Sequence, residues 1–253
     1  MYLESARILL SIIMLGYTSW IDIKTREIYD LVWIIFGGLG LALNIYEVVT
    51  GVYSAIDVVV PVTFAAGISI VLGFIGLFGG ADVLAFIALS LLNPFPPMIV
   101  HPLLGIVSRI YPITLVSNSA LAGVSMSLVI LARNLALALQ GENLFSGNNV
   151  SGFKKFVLLF SGYRIDMDQV KGPPFQYPLE VPSEEGEDRK LVVIPDINDD
   201  KSAISAFNEL RNQGVTRTWV SYMLPFLLFI SAGYVLSIIF GDIALYVITQ
   251  LIF

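Results

Sequence analysis

Cysteine is absent from this 253-residue chain, which excludes thiolate catalysis, disulfide staples and cysteine-ligated zinc together. A single histidine, His101, cannot build an imidazole-based metal site by itself. Charged side chains are scarce at 13%, about half the share of an ordinary soluble domain. Basic residues are outnumbered 14 to 20, leaving a net charge of −6, the wrong sign for gripping nucleic-acid phosphates. The sequence therefore points to no metal, no cofactor and no nucleic-acid partner.

What the chain has in abundance is hydrocarbon. Fifty-six per cent of its residues are hydrophobic, and they gather into runs near the length of about 20 residues that carries a helix across a bilayer. These runs are Leu3–Ile21, Leu31–Val49, Val58–Phe78, Ile113–Ala132 extending toward Ala138, and Trp219–Phe240. A shorter run, Val83–Leu92, covers only about 15 Å as a helix before meeting Asn93-Pro94-Phe95-Pro96-Pro97, which halts it. The first run lacks a basic n-region and an evident small-residue cleavage site, so it reads as an uncleaved anchor. The reading is an all-α polytopic membrane protein: six transmembrane helices, with a small α+β cytoplasmic domain between helices five and six.

Three regions follow. Residues 1–140 form a membrane domain of five helices, 141–218 a soluble domain, and 219–253 the sixth helix with an apolar tail. Within 141–218 the patches Phe156–Phe160 and Leu191–Ile194 read as strands. Ala203–Gln213 has helical spacing with Ser202 as N-cap, and the acidic run at 184–188 reads as a solvated loop. All of the fourteen basic residues except Arg7 and Arg109 fall between spans one and two or from Arg133 to Arg217. By the positive-inside rule that face is cytoplasmic, and both termini lie outside.

Two aspartates carry the functional signal. Asp22 follows the first apolar run, and Asp82 follows the third across Gly79-Gly80-Ala81. With six spans both fall on the cytoplasmic face, at one membrane depth although 60 residues apart. Carboxylates at such a boundary are costly to hold and usually functional. A close pair shares one proton, so one group can deprotonate water while the other donates to a carbonyl or a leaving amine. Each residue also has a plain structural reading. Asp22 and Asp82 can be helix caps, Gly79-Gly80 a turn, and Lys24 and Arg26 topology signals. Asp57, Asp242, Asp30 and Glu47 read as solvated or interfacial, and His101 as structural.

The block Asp22-Ile-Lys24-Thr-Arg26-Glu-Ile28 resembles the first motif of the type IV prepilin and preflagellin (archaellin) peptidases, and Gly79-Gly80-Ala81-Asp82 resembles their GxGD signature. Tyr29-Asp30 stands where many relatives have Pro-Asn, Ala81 replaces the second glycine, and Leu84 replaces a common lysine. The resemblance implies an aspartic endopeptidase with Asp22 and Asp82 as catalytic acids. Gly79 and Gly80 would be backbone support, and Lys24 and Arg26 second-layer or topology residues. It also implies a substrate: a preflagellin or pilin-like precursor with a basic leader and an apolar helix lying in the lipid bilayer beside the enzyme. Bacterial relatives often carry a tetracysteine zinc region and a methyltransferase activity. A chain without cysteine resembles the archaeal branch, which cleaves without methylating. Two other readings stay open: a presenilin- or signal-peptide-peptidase-like intramembrane protease, although the Pro-Ala-Leu block is absent, and an ion-coupled transporter using the same two acids.

Overall fold

The computed structural model describes residues 2–146, 150–182, 189–197, 199–223 and 225–252. Nine α-helices and four short strands are found among them: α1 Tyr2–Lys24, α2 Asp30–Val49, α3 Ala55–Phe74, α4 Gly80–Leu92, α5 Tyr111–Leu139, α6 Gly152–Ser161, β1 Gly162–Asp166, β2 Glu180–Val181, β3 Lys190–Leu191, α7 Asp200–Asn212, β4 Arg217–Ser221, α8 Phe226–Ile239 and α9 Ile243–Ile252. The chain forms two compact units, one of residues 1–123 with 225–253 and one of residues 124–224.

Among the described residues, α1, α2, α3 and α5 are long and apolar enough to cross a membrane. Helices α8 and α9 meet at 58°, and together they make a fifth candidate span. Helix α4 has only 13 residues, about 20 Å against a hydrocarbon core of about 30 Å. It is the shortened helix that its run length and the following prolines predict. The expected span Trp219–Phe240 needs correction. Trp219 lies in β4, and the helix begins at Phe226. A fully buried strand and a buried helix look alike as an unbroken apolar run, and this run joins one of each.

The larger unit is built around α4. Ala85, Phe86, Ala88, Leu89 and Leu92 are buried with Met14 and Leu15 of α1, Trp33 of α2, Tyr111 and Leu115 of α5, and Leu227, Ile230 and Tyr234 of α8. Large apolar side chains such as Ile34, Val59 and Phe74 point outward, as helices in lipid require. Glycine permits the closest approach. A Cβ on Gly40 would lie 2.7 Å from the Leu91 carbonyl carbon, so α2 could not pack as tightly here with any other residue.

Two acids sit deeper than their sequence positions suggest. Glu47, expected at an interface, is 5% exposed and pairs with Arg7 at 2.6 Å. Asp242, expected in solvent, is 2% exposed at the α8–α9 break. It accepts from Thr114 at 2.9 Å and from the Leu245 N–H of the first α9 turn at 2.9 Å. Both acids are buried because donors on other helices meet them, a fact that run lengths do not encode. Asp57 is exposed as expected, in a capping box with Ser54, and His101, read as structural, is exposed.

The smaller unit pairs β1 antiparallel with β4, Gly162 opposite Ser221 and Asp166 opposite Arg217. A second ribbon pairs β2 with β3. Trp219 is fully buried, and its indole N–H donates to the Leu144 carbonyl at 2.9 Å. Phe156–Phe160, expected as a strand, lies within α6, because its apolar residues follow helical rather than alternating spacing. The cap of α7 is Asp199, which accepts from the Ser202 N–H, and not Ser202 itself. The acidic run at 184–188 lies outside the described residues.

The Gly40 contact gives a direct test. Gly40→Ala is expected to destabilise the protein by about 1–3 kcal/mol through overpacking. Gly67→Ala, where a Cβ meets nothing within 4 Å, should be neutral or stabilise by up to about 1 kcal/mol. Unfolding of both variants in detergent against wild type measures the contrast.

Candidate active site

Helix α1 delivers Asp22 in its last turn. The side chain is largely buried, at 9% exposure, and it faces the Leu227 backbone amide at the start of α8. That contact places an anion at a helix N-terminus, where unpaired amides and the helix dipole favour it. Ser19, one turn earlier on α1, ties the same two helices together. Its hydroxyl donates to the Leu227 carbonyl at 3.0 Å and meets the Ser231 hydroxyl at 2.6 Å.

The chain leaves α1 through an unusual residue. Arg26 has φ of +62°, the only positive value at a non-glycine residue among the described residues. The left-handed region costs such a residue about 1–2 kcal/mol. The turn carries the guanidinium back over the helix end, where Nη1 lies 3.7 Å from Asp22 Oδ1. Lys24, two residues earlier, goes elsewhere: its ammonium sits 4.1 Å from the centre of the Trp20 ring. The two basic residues therefore have different surroundings, and only Arg26 joins the acids.

Helix α4 delivers Asp82. Gly79 is the N-cap, with extended φ and ψ of −75° and 164°, and its N–H donates to Asp82 Oδ2 at 2.9 Å. The carboxylate in the first turn thus satisfies a donor at its own helix end. An added Cβ on Gly79 would lie 3.3 Å from that same oxygen, whereas Gly80 faces open space. Of the two glycines, only Gly79 is confined by the site. Phe78, which precedes Gly79, stacks on Phe86, one helical turn beyond Asp82, with ring centres 5.2 Å apart, and touches Phe226 at 5.0 Å.

The fields of Asp22 and Arg26 both reach the Asp82 carboxylate. The ends of α1 and α4 therefore lie within electrostatic reach of one another, with Arg26 acting on both acids. Such a cluster can hold one carboxyl ionised and the other protonated. A cavity of about 350 Å³ at the end of α1 is lined by Tyr17, Ile21, Thr25, Glu27, Ile28 and Tyr29. Sequence reasoning did not anticipate the contribution of α8, whose first turn holds Asp22. The available signal was Pro225, a helix-start residue inside an apolar run.

Comparison with known proteins adds four findings. Residues 9–139 match the sequence profile of the type IV leader peptidase family, and residues 154–243 match that of the archaeal peptidase A24 C-terminus, type II. A preflagellin peptidase of Methanococcus maripaludis is 26% identical over 231 residues, covering 87% of this chain and 89% of that protein. A preflagellin peptidase of Methanococcus voltae is 28% identical over 226 residues with the same coverage.

Backbone strain at Arg26 separates two effects of mutation. Arg26→Val should lower stability by about 1–2 kcal/mol, since a β-branched residue fits the left-handed region poorly. Arg26→Gly should match or exceed wild type despite losing the same ion pair. Denaturant unfolding in detergent reads the order. Equal losses in both variants would mean that the ion pair, not the turn, dominates.

Proposed function

The chain belongs to the type IV leader peptidase family, and from that premise we propose that it is an aspartic endopeptidase of the membrane. On this reading it removes the leader from preflagellin or pilin-like precursors at the cytoplasmic face, with Asp22 and Asp82 as its catalytic acids. The observation that supports the reading is that Asp22, Asp82 and Arg26, at the ends of α1 and α4, lie within electrostatic reach of one another. Relatives that share most of the chain's length bear the name preflagellin peptidase.

The chemistry follows from the pair. One ionised carboxylate takes a proton from water, and the oxygen attacks the scissile carbonyl carbon. The protonated partner gives its proton to the carbonyl oxygen, yielding a neutral tetrahedral diol. On collapse the C–N bond breaks and the amine leaves with a proton from the pair, so one water is consumed and one acid and one amine are formed. The base role suits Asp22, beside the Arg26 guanidinium and the Leu227 N–H. The proton-holding role suits Asp82, which lies in the first turn of α4 between Phe78 and Phe86 in sequence, residues whose rings stack on each other.

Counting α4 and the bent α8–α9 pair as spans gives six. On the positive-inside rule, Lys24 and Arg26 favour an orientation with the α1–α2 connection and the Asp pair inside the cell, the smaller unit cytoplasmic and the termini outside. A precursor whose apolar helix lies in lipid presents its leader at that depth. The cavity at the end of α1, with Glu27 on its wall, suits a short extended segment bearing positive charge.

Asp22→Asn and Asp82→Asn are each expected to reduce cleavage of a precursor by at least about 10²–10⁴-fold, with the protein still inserted in membranes. Full activity in both would overturn the assignment. A product N-terminus within the apolar helix, rather than ahead of it, would favour an intramembrane protease of the presenilin kind. The rate should also fall at both pH extremes, because the shared proton is doubled at low pH and lost at high pH, and the two apparent values would belong to the pair. A pH–rate profile on purified enzyme measures this.

A further inference from the structure

At the opposite end of α4 from Asp82 lies a buried polar cluster that the proposed chemistry does not use. Arg7 of α1 is 7% exposed. Its Nη1 donates to the Leu92 carbonyl at 2.7 Å and the Leu91 carbonyl at 3.3 Å. Its Nη2 donates to Asn44 Oδ1 at 2.8 Å and Glu47 Oε2 at 2.6 Å. Asn44 Nδ2 donates in turn to the Leu91 carbonyl at 2.9 Å. Asn93, the C-cap of α4, donates to Ser11 Oγ at 2.7 Å.

These contacts answer a definite physical need. The last carbonyls of a helix have no partner within it, and at membrane depth little water replaces one. Helix α4 cannot extend to reach the far interface, because Pro94, Pro96 and Pro97 follow Asn93. A cation at the negative end of the helix dipole satisfies both the carbonyls and the dipole, and Glu47 keeps that cation from being buried alone.

We propose that Arg7, with Asn44 and Glu47, is a positioning group for the site: by gripping the C-terminal carbonyls of α4 from α1, it fixes the axial register of Asp82 against Asp22. The inference rests on the peptidase reading for its functional consequence. Arg7 and Asp22 stand on one helix, and Asp82 and Leu92 on the other, so the two helices are tied at one end and must react at the opposite end. A slip of α4 by one residue moves Asp82 by about 1.5 Å. Misplacement on that scale can cost about 10²-fold in rate while leaving substrate binding largely intact.

The experiment uses Arg7→Lys, whose single ammonium cannot fork between carbonyls and side chains, and Asn44→Leu, a near-isosteric change that frees only one side of the grip. Since the chain has no cysteine, spin labels can be placed cleanly through Thr25→Cys with Leu84→Cys, which report α1 against α4. A control pair, Thr25→Cys with Leu228→Cys, reports α1 against α8. In Arg7→Lys the Thr25–Leu84 distance distribution should broaden or shift while the control pair does not. The kcat should fall about tenfold to a hundredfold with KM changed less than about twofold, and Asn44→Leu should show a smaller change of the same kind. An unchanged Thr25–Leu84 distribution in both variants overturns the proposal, as does equal broadening of the control pair, which means general loosening. The distance measurement needs no substrate. Failure of the wild type to cleave any precursor therefore counts against the peptidase reading alone, and the label distances still decide the grip.

Discussion

A helix that stops partway through hydrocarbon must find partners for its final carbonyls, and this requirement organises the larger unit. Helix α4 is too short to reach both interfaces, so α1 and α2 supply Arg7 and Asn44 to its C-terminus. Its close packing follows: α2 can approach only because Gly40 has no side chain. The other end of the helix is free to carry a polar group at the boundary, where Asp82 meets its own Gly79 N–H. The shortness of α4 and the placement of a carboxylate at its start are one feature seen from two ends.

The site itself is assembled from helix termini. Asp22 closes α1, Asp82 opens α4, and the first turn of α8 supplies an amide to Asp22. Helix ends are where backbone dipoles are unpaired, so three of them meeting in one place create a polar spot at the edge of an apolar bundle. Arg26 completes it through a strained turn, and the strain is tolerable because the surrounding contacts hold the residue there. Lys24, which looks equivalent in sequence, lies over Trp20 instead. Proximity in a motif does not make two cations interchangeable.

Much of this was legible in the sequence. The spans α1, α2, α3 and α5, the abrupt end of α4 and the two acids follow from run lengths, prolines and position. The remainder was hidden for identifiable reasons. Trp219 reads as membrane helix because apolarity alone does not separate a buried strand from a span. Glu47 and Asp242 read as interfacial because their partners, Arg7 and Thr114, lie on distant segments. The difference between Gly79 and Gly80 depends on which one faces the Asp82 oxygen, a matter of helix phase rather than composition. The contribution of α8 to the site was hidden for the same reason, since an amide donor has no letter of its own.

The antiparallel pairing of β1 with β4 sets Gly162 opposite Ser221, so the stretch between them begins and finishes at one spot. A polypeptide excursion closed in this manner behaves as a cassette. Evolution can lengthen, shorten or replace what lies inside the clasp while the strands that seal it stay in register.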